Sequence, residues 1–175
     1  MQTELTSSGR CARAVAAVAR GDMQPLAVIY DELGRQIFAL ALSILNNSAD
    51  AEDAMQDTFV RIARHAQTFD QNGNARAWIM AVARNAALDI LRRRREIPVP
   101  DGSFGNTAQD GDFTRVYELN AMLSTLEEDD KQIVILKVVN GMKFGEIAAV
   151  FGITPEAARK RCARALEKLK AAYGR

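Results

Sequence analysis

The stretch FGEIAAVFGITPEAARKR, running from Phe144 to Arg161, decides how this chain is read. Ile147, Ala148 and Phe151 form the apolar face of a short helix. Gly152 follows where a tight turn needs positive φ, which glycine adopts freely because it has no Cβ. Thr154 then offers an N-cap hydroxyl, and Pro155 suits the first helical position, where its missing N–H is not needed. Beyond it, Ala158, Cys162, Ala165 and Leu169 recur at helical spacing and make one buried stripe. Two short helices meeting at such a turn form a helix-turn-helix, whose second helix enters the DNA major groove. Arg159, Lys160, Arg161 and Arg164 fall outside the stripe, near the start of the second helix, where base edges and phosphates are reached. A helical hairpin with a solvated basic face is the blander reading. The glycine turn, the Thr-Pro cap and the cation placement all agree on the first.

Outward from this motif, the chain is expected to be all-α. Aromatic residues make up only 6% of its 175 residues, while Ala, Leu, Arg and Glu abound, which favours helix over strand. Its 48% apolar and 26% charged residues are ordinary for a globular protein. Apolar residues recur at helical spacing from Ala12 to about Arg95, with breaks at 21–25, 46–48 and 69–74. Pro98, Pro100, Gly102, Gly105 and Gly111 then mark a linker over 97–112. The expected organisation is a disordered 1–10, a helical bundle over 11–96, a flexible linker over 97–112, and a second small helical domain over 113–175.

The formal charge of +1 hides a strong segregation. Residues 76–95 hold six arginines against Asp89, and residues 143–175 hold eight Lys or Arg against three Glu. Residues 96–118 carry five acids against Arg115, and residues 46–60 carry four acids with no cation. Two basic blocks separated by acidic ones imply two polyanion-binding surfaces and a face for a basic partner. Cys11 and Cys162 lack metal-ligand spacing, and with His65 the only histidine no zinc site is expected within the chain. Lone thiols fit a reducing, cytoplasmic setting. The longest apolar stretch, Ile37–Leu45, is far below the roughly 20 residues that span a bilayer, so no membrane insertion is expected. Nor is an enzyme expected. The chain shows no phosphate-binding glycine loop with lysine, no nucleophile–base arrangement and no cofactor site.

Two features of the N-terminal half invite function. Ser48 or Asp50 can cap a helix to His65 whose inward face is Ala51, Ala54, Met55, Thr58, Phe59 and Ile62. Asp53, Gln56, Asp57 and Val60 then line the other side at i, i+3, i+4, i+7. That stripe is either a docking surface for a basic partner or a solvated face. After it, the polar loop Asp70–Ala75 leads into a long helix carrying Arg76, Trp78, Asn85 and Arg92–Arg95. A Trp on a basic helix can stack on an unpaired base and Asn can bond its edge, although packing in the core is the more ordinary role for this Trp. Four consecutive arginines point to phosphate.

Together these residues resemble the extracytoplasmic-function (ECF) sigma factors of bacterial RNA polymerase. Ala49-Asp-Ala-Glu-Asp-Ala-Met-Gln-Asp-Thr-Phe-Val60 resembles the family's core-polymerase-binding segment. Ala77-Trp-Ile-Met-Ala-Val-Ala-Arg-Asn-Ala-Ala-Leu-Asp-Ile-Leu-Arg-Arg93 resembles its promoter-melting and −10-reading segment. Leu123-Ser-Thr-Leu-Glu-Glu-Asp-Asp-Lys-Gln132 with the helix-turn-helix resembles its −35-reading domain. The resemblance implies that Asp53, Gln56, Asp57 and Val60 bind core polymerase. It implies that Asp70, Asn72, Asn74, Arg76, Trp78, Asn85, Arg92 and Arg93 handle the −10 element, and that Glu156, Arg159, Lys160, Arg161 and Arg164 read the −35 element. It further implies an anti-sigma partner. Glu156-Ala157-Ala158 departs from the Gly-Thr-Val common in the family, which puts the −35 preference in question. A stand-alone helix-turn-helix regulator would explain the C-terminal motif but not the acidic stripe or the linker, and a sigma-like decoy that titrates an anti-sigma factor usually carries a receiver domain, for which 175 residues leave no room.

Overall fold

A computed structural model describes residues 7–96 and 118–174. Among these residues there is no strand, and the chain is all-α. In order come α1 (Ser7–Ala19), α2 (Leu26–Leu45), α3 (Ser48–His65), α4 (Ala75–Glu96), the helical residues 118–122 (α5), α6 (Glu128–Val134), α7 (Phe144–Phe151) and α8 (Pro155–Tyr173). The expected disorder of 1–10 is corrected at Ser7–Arg10. Here the buried Cys11, Ala14 and Val15 give α1 an apolar face, and Arg10 Nε reaches Glu32 Oε1 at 2.6 Å on α2. The linker expected over 97–112 lies outside the described residues.

The centre of the molecule is α2. Every residue from Ile37 to Leu45 is buried, and a helix apolar on all sides must be surrounded. It is: α1, α3, α4, α6 and the turn after α6 all pack on it. Ser43, the polar exception, donates its hydroxyl to the Leu40 carbonyl at 2.7 Å. Asn46 ends the helix in the left-handed region at φ +52°. Asn47, and neither Ser48 nor Asp50, caps α3, its side-chain oxygen accepting from the Asp50 N–H at 3.0 Å. Of the inward face expected for α3, Ala51, Ala54, Thr58 and Ile62 are fully buried, and Met55 and Phe59 are half-buried against the core.

In the second half, a 3₁₀ turn at Leu123–Thr125 breaks the helical run that the sequence pattern left continuous. After α6, Ile135–Val139 winds as a π-helical turn closed by the Asn140 N–H on the Ile135 carbonyl at 3.0 Å. The helix-turn-helix forms as its residues require. Gly152 sits at φ +65°, the Thr154 hydroxyl accepts from the Ala157 N–H at 3.1 Å, and Ala158, Cys162 and Ala165 are buried. Both thiols are core groups: burial pushes the Cys11 thiol up to about 11, and burial likewise raises Cys162.

The two helical domains lie against each other. α7 packs on α4, and both α6 and the π-helical turn pack on α2.

Candidate nucleic-acid interface

On the recognition helix α8 the basic residues divide. Arg164 is exposed and without an ion pair among the described residues, and Arg159 is exposed with its guanidinium 5.7 Å from the Phe144 ring centre. Lys160 pairs with Glu156 at 2.8 Å on the open surface, a contact of small energetic weight. Arg161 is different. It flanks the buried stripe, and its Nε bonds Asp130 Oδ1 at 2.7 Å while NH1 lies 3.6 Å from Asp129 Oδ2. The expectation that all four cations face outward is therefore corrected at Arg161, whose carboxylate partners on α6 turn it inward.

The residues expected at the downstream element fall on two faces of α4 instead of one. The first face looks toward α7 and the π-helical turn. Arg76 donates to Gln36 Oε1 at 2.8 and 3.2 Å and to the Asn140 carbonyl, and sits 3.7 Å from Glu146 Oε2. Asn74 caps α4 by accepting from the Ala77 N–H at 2.9 Å and donates to Glu146 Oε1 at 3.2 Å. Asp70 shapes the loop before it, bonding the Asn72 N–H at 3.0 Å, while Asn72 itself is exposed. Asp70, Asn74 and Arg76 thus each make contacts within the chain in this form.

The second face carries Trp78, Val82 and Asn85 at i, i+4, i+7 and opens onto a cavity of about 420 Å³ between α3 and α4. From α3 and the turn after it come Asp57, Arg61, Arg64, His65 and Thr68. Trp78 packs its ring on Phe69 at 5.5 Å between centres, tilted 52°, and also lines the cavity. Arg61 bridges the two helices, its Nε on Asp57 Oδ2 at 2.9 Å and NH1 on Asp89 Oδ2 at 2.7 Å. Burial lowers the proton affinity of this guanidinium, but its bonds to Asp89 and Asp57 outweigh burial and raise it overall. Arg92 closes the chain of charges on Asp89 Oδ1 at 3.0 Å, and Arg93 reaches the Asp89 carbonyl at 3.4 Å. A site of this size, with one aromatic wall, an amide and three basic side chains, can hold a flat ring beside an anion. Arg61, Arg64, His65 and Thr68 were missed from the sequence, although their spacing of i, i+3, i+4, i+7 put them on one face of the chain leaving α3.

The acidic stripe of α3 is exposed at Asp53 and Gln56, and Val60 stands 46% exposed beside them. Asp57 is turned toward the cavity by Arg61, so it belongs to both surfaces.

Residues 29–97 match Sigma-70 region 2, and residues 117–169 match Sigma-70, region 4. The RNA polymerase sigma factor CarQ of Myxococcus xanthus is 35% identical over 138 residues, which cover 75% of this chain and 79% of CarQ. The ECF RNA polymerase sigma factor SigE of Mycolicibacterium smegmatis is 31% identical over 155 residues, 81% of this chain and 60% of SigE. Among solved structures, CnrH in complex with the cytosolic domain of CnrY shares the fold at a TM-score of 0.75 and 23% identity, covering 93% of this chain and 96% of CnrH. The sigma factor RpoE from Bartonella quintana, in complex with the anti-sigma factor NepR, superposes at 0.62 with 22% identity over 82% of this chain and 94% of RpoE. Two family regions matched in order, with a relative 35% identical along three quarters of both sequences, place this chain in the sigma-70 family of RNA polymerase sigma factors, in its ECF group.

Proposed function

We propose that this chain binds core RNA polymerase and directs it to promoters, with residues 11–96 serving polymerase binding and the −10 element and residues 113–175 the −35 element. The observation that carries the proposal is the α3–α4 cavity, where Trp78 and Asn85 stand within one concave site beside Arg61, Arg64 and His65. In this reading an unpaired base stacks against the Trp78 wall, Asn85 bonds its edge, and Arg92 and Arg93 with the α3 cations take the flanking phosphates. Asp53, Gln56, Asp57 and Val60 dock on the polymerase. Arg159, Lys160 and Arg164 meet the upstream element, with Glu156 modulating what the helix N-terminus offers. Sigma supplies position and strand opening, and the polymerase supplies all chemistry, so no catalytic residue is assigned. A bacterial cytoplasmic location follows from that partner. The complexes of CnrH with CnrY and of RpoE with NepR support an anti-sigma partner here too.

Reconstituted transcription tests this reading. Purified chain plus core polymerase on a promoter library is expected to start RNA at particular sequences only when both are present. Operator binding by the chain alone, indifferent to core, would favour a stand-alone regulator and overturn it. Within the same assay, Arg164→Ala is expected to cost about 1–3 kcal/mol at promoters with the preferred upstream base if it reads that base. An equal loss on every sequence would reduce it to a phosphate contact.

A further inference from the structure

The cavity between α3 and α4 has the parts that a single nucleotide needs. Among the described residues its lining offers one aromatic ring, Trp78, and one side-chain amide, Asn85, with Val82 between them on α4. At about 420 Å³ it falls within the roughly 300–1,000 Å³ of sites that enclose small molecules. A promoter strand offers such a site one extruded base. A detached nucleotide offers the same base with its own phosphate.

The cations of the wall divide by what they already hold. Arg61 is bound to Asp57 at 2.9 Å and to Asp89 at 2.7 Å, so it steadies the wall more than it charges it. Arg64 and His65 make no ion pair among the described residues, and both are exposed where they line the cavity. Cations are favoured at the end of any helix, and that alone would account for their place in the last turn of α3. It does not account for an indole and an amide on the facing helix. Charge then distinguishes strand from free ligand. Each phosphodiester of DNA carries one negative charge, whereas a terminal phosphate carries about 1.5–2 near neutral pH, so an unpaired Arg64 holds the terminal group more strongly. An Asn amide bonds adenine N6 and N7 together, which selects adenine among the bases.

We propose that the α3–α4 cavity binds free adenine nucleotides, with the base against Trp78 and Asn85 and the 5′-phosphate on Arg64 and His65, and that a bound nucleotide excludes the promoter strand from the same site. The exclusion rests on the proposed assignment of this cavity to an extruded base; the binding does not.

Trp78 is the one tryptophan of the chain, so its fluorescence reports from the cavity without a label. Adenosine 5′-monophosphate titrated into the free full-length chain is expected to quench it saturably, and equilibrium dialysis with radiolabelled nucleotide should give the same dissociation constant. Arg64→Gln should weaken the monophosphate at least about fivefold, while adenosine, which has no phosphate, should bind this variant as it binds the unaltered chain. Asn85→Ala should remove the preference for adenosine 5′-monophosphate over cytidine 5′-monophosphate. Both positions are exposed, and far-ultraviolet circular dichroism checks that each variant is folded. No saturable binding, displacement by inorganic phosphate as effective as by the nucleotide, or affinities unmoved by both variants would overturn the site. For the exclusion, the chain with core polymerase is titrated onto a promoter fragment with adenosine 5′-monophosphate as the only nucleotide. The concentration for half-maximal complex should rise about tenfold when the nucleotide stands at ten times its dissociation constant, as simple competition requires. The rise should shrink in Arg64→Gln, which separates it from nucleotide held by the polymerase. A half-maximal concentration indifferent to the nucleotide overturns the exclusion. The nucleotide affinity is read without DNA or polymerase, so it stands or falls apart from the promoter assignment.

Discussion

A chain carrying Asp53→Arg and Asp57→Arg together is expected to bind core polymerase at least about 100-fold more weakly, since like charges set against a basic partner cost several kcal/mol. The two positions stand one turn apart on α3, beside the exposed Gln56 and Val60 and on the side away from the buried Ala51, Ala54, Thr58 and Ile62. Changing them therefore touches no core contact. Asp57 does hold Arg61, but Arg61 keeps Asp89 at 2.7 Å as its second partner. Far-ultraviolet circular dichroism should accordingly be unchanged while titration of fluorescent chain into core polymerase shows the loss. Affinity equal to that of the unaltered chain would make the stripe a solvated face and nothing more.

Leu40→Ala should have the largest effect on stability, about 2–5 kcal/mol, because it empties space inside the one helix surrounded on all sides. Leu40 is fully buried at the middle of the run from Ile37 to Leu45, with α1, α3 and α4 all packed on α2. For a chain of this length the loss corresponds to a fall in Tm of roughly 5–15 °C. Leu166→Ala, at a 44% exposed position on α8, is the matched control and should stay within about 0.5 kcal/mol. Calorimetry or thermal melts compare the two directly. If Leu40→Ala melts with the control, the central role of α2 is mistaken.

The parts of this molecule that were legible in sequence are those decided within a few residues. Gly152, Thr154 and Pro155 carry their own conformational instructions, so the helix-turn-helix and its buried Ala158, Cys162 and Ala165 could be read directly. In sequence the apolar run Ile37–Leu45 reads only as too short to span a bilayer, and its place at the centre of the bundle comes from the packing of the other helices on it. Where three good capping residues stand together at 46–48, local chemistry does not choose among them, and the cap fell to Asn47. The helix at Ser7–Arg10 was hidden because its own residues are polar and its stability comes from Cys11, Ala14 and Val15 further along. The division of α4 was beyond reach for a different reason. Whether Arg76 faces solvent depends on Gln36, Asn140 and Glu146, which arrive from 40 or more residues away, and charge runs carry no record of that. Sequence separation also hid the inward turn of Arg161, which Asp130 imposes from 31 residues away on α6.

The buried stripe of α8 is unusually slight, two alanines and a cysteine, and helix axes approach according to the bulk of the side chains between them. A methyl or two added at Ala158 or Ala165 would therefore lift the whole recognition helix by a fraction of an ångström, because a close-packed interior has no slack to absorb it. Every outward guanidinium would be re-aimed together. Promoter preference in such a scaffold can drift through its hidden alanines, with every DNA-facing residue left as it was.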